Sequence, residues 1–266
     1  PALLWRHLPA APIDPMPPDD PLPALAGLSR PPAPLASPSY VLVLAEYRPG
    51  ARLWGLGRLI GGPRALRDEP GLTFCKVLGS GRDGGFGLAP SFSRQGLFCA
   101  FAHDAAARAF VHGPRVGELA AHAREFLVAR LSAYSSRGAW SGQPLRAAAA
   151  APGSGPIGAL TRASIRAAAA PAFWGHAPRS QDALAAADGC LLAAGLGEAP
   201  LLRQATFSLW RSEAAMDAYA RSGAHLEAIR AAARHRFFTE SLFMRFVPLQ
   251  VQGTWQGRSH DLVAAA

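Results

Sequence analysis

The chain has 266 residues, half of them hydrophobic, only 17% charged, with a formal net charge of +9. That is too apolar for a disordered chain, and 27 glycines with 24 prolines mark a globular protein rich in turns. The basic excess is almost entirely arginine and forms no run, which argues against nucleic acid as a partner, and three cysteines without CxxC spacing argue against a disulfide framework or a zinc site.

Residues 1–38 are crowded with proline and read as an extended N-terminal arm, because proline removes the N–H that a helix interior or central strand needs. "PALLWRHLPAAPI" holds too many prolines for the apolar core of a signal peptide, and no apolar run reaches the ~18 residues of a membrane span. A reducing cytoplasm is the expected setting, with peripheral contact at the inner membrane permitted by the positive charge. Regular structure is predicted to begin at "YVLVLAEY", residues 40–47, a β-rich run.

From there the chain repeats itself. "RQGLFCAFAHDAAARAF" from Arg94 matches "RQATFSLWRSEAAMDAY" from Arg203, and "GAWSG" with Trp140 matches "GTWQG" with Trp255. "LWGLGR" with Trp54 matches "FWGHAP" with Trp174, and Gly79 and Gly81 align with Gly195 and Gly197. Four matches in the same order, with spacing that drifts as loop insertions would make it, indicate duplication. Each copy reads strand, helix, strand, strand, helix, strand. The fold class is therefore α+β: tandem ferredoxin-like βαββαβ repeats whose bare sheet faces close an intrachain barrel of the dimeric type. The expected organisation is an arm (1–38), a first repeat (39–142), a linker (143–155), a second repeat (156–257) and a tail (258–266).

There is no Walker loop, GxSxG or HExxH. "GSGRDGGFG" is followed by a proline and a strand rather than a helix, so it reads as a turn and not as a phosphate cradle. Ser212 is a predicted cap for a helix interrupted at Gly223, after which His225, Ala228, Ile229 and Ala232 share one face. The copy carries Arg115 where this helix has His225. The small side chains of Ala228 and Ala232 leave room for a flat, bulky group beside an imidazole, a standard axial ligand of haem iron. His235, His103, His112, His7 and His260 sit at corners, helix flanks or tails. Cys75, Cys99 and Cys190 fall in predicted strands and offer a thiolate as the competing haem ligand.

"PGLTFCKVLGSG", "GPIGALTRASIR", "AFWGHAPR", "GLGEAPLLRQATFSLW", "GAHLEAIRAA" and "GTWQG" together resemble the spheroidene monooxygenase family, over most of residues 40–257. The resemblance implies a haem b monooxygenase that uses O2 and an electron donor such as reduced ferredoxin to place a keto group on an acyclic carotenoid. It puts the haem-binding histidine at His225. It also singles out Lys76 and Ser80, the first to pair with a haem propionate and the second to hydrogen-bond bound oxygen, as catalytic candidates. Ile229, on the His225 face, and Trp174 are the further expected cofactor contacts. The chain departs from the family's pattern in its Pro-rich arm and at "RDGG". The residues alone leave open a histidine-ligated haem enzyme of other chemistry, peroxidase-like or dehydratase, or a haem-binding protein without turnover.

Overall fold

The computed structural model describes residues 37–82, 84–85, 89–199 and 201–263, and leaves aside the side chains at 176, 178, 180–182 and 185. The expected arm, apart from its last two residues, and residues 83, 86 and 87 of the "GSGRDGGFG" loop lie outside the described residues.

The first repeat runs β1 (Ser39–Tyr47), α1 (Arg52–Gly61), β2 (Leu72–Gly81), β3 (Pro90–Phe101), α2 (Asp104–Val111), α3 (Pro114–His122) and β4 (Ala123–Gly138). The second runs β5 (Ile157–Ile165), α4 (Ala170–Ala185), β6 (Cys190–Ala199), β7 (Arg203–Trp210), α5 (Glu213–Ala220), α6 (Gly223–Arg234) and β8 (Phe238–Trp255). The matching helical segment is split in two in both copies. The Ser212 hydroxyl accepts the Ala215 N–H at the start of α5, and Gly223, at φ +52°, opens α6. In the first copy His103 takes the capping role, and Pro114 sits in the first turn of α3. Residues 258–266, expected as a tail, instead supply β9 (Arg258–Val263), which pairs with the far end of β8. The unpaired edge of β8 there is a ready template for one more strand.

All strands are antiparallel and follow the order β4-β1-β3-β2-β6-β7-β5-β8-β9, with β4 also bonded to β8. β1 to β8 thus form a closed barrel of two four-stranded ferredoxin-like sheets. The two seams are unequal. β4 and β8 pair from Leu127↔Gly253 to Gly138↔Leu242, whereas β2 and β6 pair only at Gly79↔Gly197 and Ser80↔Leu196. The register also corrects the glycine alignment. Gly79 lies beside Gln95 and Gly197 beside Gln204, so Gly79 is equivalent to Gly197 and not to Gly195.

Alternation along each strand divides the apolar residues between two layers. Tyr40, Leu42, Leu44, Phe98, Leu160, Phe207 and Phe246 point inward and fill the barrel with one continuous core. Val41, Val43, Leu97, Cys99 and Phe101 point outward, where Phe110, Val116 and Leu119 of α2 and α3 cover them. Each Leu or Phe so buried contributes ~1.5–3 kcal/mol, so both layers are needed to fold a chain of this size.

Trp140, just past the end of β4, and Trp255, at the end of β8, are equivalent and each fully buried. Each is followed by a left-handed pair, Ser141–Gly142 and Gln256–Gly257. The backbone N–H groups of Ser141 and Gly142 donate to Glu240 at 3.0 and 2.6 Å, and those of Gln256 and Gly257 donate to Glu125 at 3.0 and 2.5 Å. Two residues before each tryptophan stands a glycine at positive φ, Gly138 at +95° and Gly253 at +121°. A Cβ on Gly253 would overlap the Phe126 carbonyl oxygen, and one on Gly138 the Ser241 carbonyl oxygen, across the long seam. Gly253→Ala and Gly138→Ala should each therefore cost more than ~2 kcal/mol in urea denaturation, whereas Gly57→Ala, inside α1 and facing open space, should stabilise by ~0.5–1 kcal/mol.

Candidate functional site

The two helix layers are built differently, although the sheets beneath them are copies. On the outer face of the first sheet, Val77, Leu97, Val43 and Val128 lie side by side in one row. The equivalent row of the second sheet is Gly195, Thr206, Thr161 and Phe243. Three aliphatic side chains are thus replaced by two threonines and a glycine. The helices respond to the loss. Val116 and Leu119 anchor α3 at 4% and 3% exposure, whereas no residue of α6 is buried and Ile229, the match of Leu119, is 46% exposed. An isoleucine left about half in water forgoes roughly half of the ~1.5–3 kcal/mol that full burial supplies. The second layer is therefore short of side-chain volume, and α6 packs chiefly against α4 and α5.

His225 lies on α6 in this layer, half-buried. Its ring stacks on Tyr219 at 4.5 Å and 27°, and Tyr219 leans on Trp210, whose indole N–H donates to the Ser208 hydroxyl at 2.9 Å. Burial pushes the imidazole pKa below its ordinary value, so the ring is neutral at pH 7 and able to bind a metal. Among the described residues no three His, Cys, Asp or Glu side chains converge. A lone imidazole suits a metal whose other ligands belong to a macrocycle, and haem iron is such a metal. The thiols fit that role less well. Burial raises Cys190 to about 11 and pushes Cys99 well up, the latter also through its neighbour Cys75, whose sulfur lies 3.4 Å away.

The other expected site residues divide between the two sides of the sheet wall. Trp174 is on α4, which packs against α6, and its indole N–H donates to the Leu201 carbonyl at 3.0 Å. Ile229 is on α6, exposed. Lys76 and Ser80 belong to the inward-facing set of β2, with Phe74 and Leu78, and so do not meet His225. The Ser80 hydroxyl donates to the Gly195 carbonyl at 2.7 Å, holding the short seam.

Lys76 is engaged in a charged cluster that the sequence reading missed. Its ammonium lies 3.1 Å from Glu198 and donates to Ser141 at 2.8 Å. Glu198 also accepts the Trp140 indole N–H at 2.6 Å and the Arg162 guanidinium at 3.0 Å, and Arg162 reaches on to Glu240. Arg162 is only 2% exposed, a full charge inside the barrel. Burial alone would raise the Glu198 carboxyl, but the Trp140 N–H and the Lys76 and Arg162 cations outweigh it and hold the pKa below the ordinary value. The available signal was Arg162 itself, a charge in mid-strand within "GALTRASI". Glu198→Ala strips the cluster of its shared anion and should cost ~3–5 kcal/mol in urea denaturation. Because the folded pKa of Glu198 is depressed, the stabilisation it supplies at neutral pH should fade as pH falls from the ordinary carboxylate range through that folded pKa.

The comparisons with known proteins agree with this architecture. No family model matches the sequence. Spheroidene monooxygenase of Rubrivivax gelatinosus is 54% identical over 221 residues, covering 83% of this chain and 86% of the relative. Spheroidene monooxygenase of Rhodobacter capsulatus is 37% identical over 211 residues, covering 77% and 87%. Among solved structures, an aldoxime dehydratase co-crystallised with butyraldoxime shares the fold at a TM-score of 0.52 and 10% identity, over 79% of each chain. The duplicated barrel and the extent of identity to two named relatives lead to one assignment: this chain belongs to the spheroidene monooxygenase family of oxidoreductases.

Proposed function

We propose that the chain is a haem-dependent monooxygenase that converts an acyclic carotenoid into a keto-carotenoid, using O2 and an electron donor such as reduced ferredoxin. The observation that carries the haem is the depleted layer between α6 and the second sheet. The residues present fit a flat macrocycle: a neutral imidazole on the helix, with Gly195, Thr206 and Thr161 where the other copy has aliphatic bulk. Haem b bound there supplies the activation of O2 that amino-acid side chains lack. The substrate class follows from the family and from the apolar rim of the same layer, where Ile229 and Phe243 are 46% and 45% exposed.

His225 would hold the haem iron in this reading. Stacking on Tyr219 restricts the swing of its ring, which is how a neighbouring group orients a metal ligand. In each round one oxygen atom of O2 enters a C–H bond of a methylene beside a double bond. The other leaves as water, taking two electrons from the donor and two protons. A second round at the same carbon gives a geminal diol, which loses water to leave the ketone. Lys76 and Ser80 act in this scheme by holding the barrel mouth and the short seam that the second sheet depends on.

His225→Ala should abolish or greatly weaken the Soret band of the purified protein while circular dichroism stays unchanged, because alanine suits a helix. A full Soret band with unchanged ligand signature in that variant would place the iron elsewhere. Haem affinity of the wild type should fall only once the pH drops below the ordinary imidazole range, since the depressed pKa keeps the ring neutral to lower pH.

A further inference from the structure

α1 is the matching helix of α4, but its outward side is apolar. Its inner side is seated. Gly55 abuts the Tyr47 ring, and its carbonyl accepts the Gln95 side-chain N–H at 2.7 Å. Trp54 stacks on His122 at 4.0 Å, and Arg58 turns inward over Trp54 and towards Glu118. The opposite side carries Leu53, Leu56, Gly57 and Ile60, spaced to share one face. Leu53 is 84% exposed and Ile60 75%, and among the described large apolar residues only Val263 matches Ile60.

The charge around this ridge has one sign. Between Arg48 and Arg67 the chain has five arginines and no acidic residue, and Asp68 is the first acid beyond them. Arg48, Arg52, Arg64 and Arg67 are exposed. Arg52 stands beside Leu53, and Arg64 folds back to donate to the Gly61 carbonyl at 3.5 Å, so cations mark both ends of the apolar ridge. Arg64 and Arg67 also line a shallow cleft of about 290 Å³ with Leu66, Leu72 and Phe74. An apolar ridge between arginines is the pattern of a helix that lies at a bilayer surface, its aliphatic side chains among the acyl chains and its cations on anionic headgroups. Among the described residues no helix is long and apolar enough to cross a membrane, so contact through these residues would be peripheral.

We infer that α1 and the arginines flanking it dock the protein on an anionic lipid surface. The inference rests on the carotenoid reading for its purpose, since a substrate dissolved in a membrane must be reached there, but its test does not. Full-length protein is mixed with carotenoid-free vesicles of phosphatidylcholine alone or with phosphatidylglycerol, and floated at low and high salt. Wild type should float with the anionic vesicles at low salt and be released from them at high salt. Leu53→Ser with Ile60→Ser should lower the bound fraction at least ~10-fold, and Arg52→Gln and Arg64→Gln should each lower it ~5-fold. All four side chains are exposed, and an unchanged circular dichroism spectrum shows that each variant is folded. Equal binding to neutral and anionic vesicles overturns the inference, as does unaltered flotation of the double variant. Unaltered flotation with turnover lost only when an acidic protein donor supplies electrons overturns it too, and gives the face to the donor. Wild type that shows a Soret band but does not float with the anionic vesicles condemns the surface alone, and wild type that floats but shows no Soret band condemns the haem alone.

Discussion

A ferredoxin-like sheet has two faces and helices enough to cover one. Covering the other is the constraint on which this molecule depends, and the second copy of the same sheet meets it. The inward rows of both copies mesh into a single core, with Tyr40, Phe98 and Phe246 from different strands in ring contact. The long β4–β8 seam, with its two glycines and two tryptophan corners, carries most of the closure. Among the described residues the inward side chains fill the barrel, so the haem proposed above is assigned outside the wall, between sheet and helix.

Duplication makes that placement affordable. The barrel needs both inner faces, but each helix layer answers only to its own sheet. The first repeat packs its layer with Val43, Leu97, Phe110 and Leu119 and anchors the fold. The second has replaced matching aliphatics with Thr161, Thr206 and Gly195, and holds its helices through Trp210, Met216 and Leu184 instead. The arginine and the histidine at matching places on α3 and α6 follow from that division. Arg115 lies over a filled layer and is exposed, and His225 lies over a depleted one.

Charge inside the barrel is the other departure from symmetry. Leu44 of β1 lies inward, and its counterpart in β5 is Arg162. A lone guanidinium there would be strongly destabilising, so its presence requires the carboxylates of Glu198 and Glu240 and the indole N–H of Trp140. Lys76, the one lysine in a chain that otherwise uses arginine, completes the set. A compact ammonium on a flexible stem can reach both Glu198 and Ser141 from its strand.

The amino-acid order determined, without coordinates, whatever depends on residues near one another along the chain. It held the repeat and the βαββαβ order, the helix cap at Ser212 and the break at Gly223. It also held the imidazole on the small-residue face of α6, because period and capping are local properties. The tertiary structure alone decided what depends on residues brought together from afar. Strand register made Gly79 the partner of Gly197, and side-chain alternation turned Lys76 and Ser80 into the barrel, away from His225. The edge of β8 made a strand of the expected tail. Arg162 was visible as a charge in a strand, but its partners lie on β6 and β8 and beyond the end of β4, brought together only when the barrel closes. The depleted layer beneath α6 is likewise a comparison between two packed surfaces, which exist only once each sheet has found its helices.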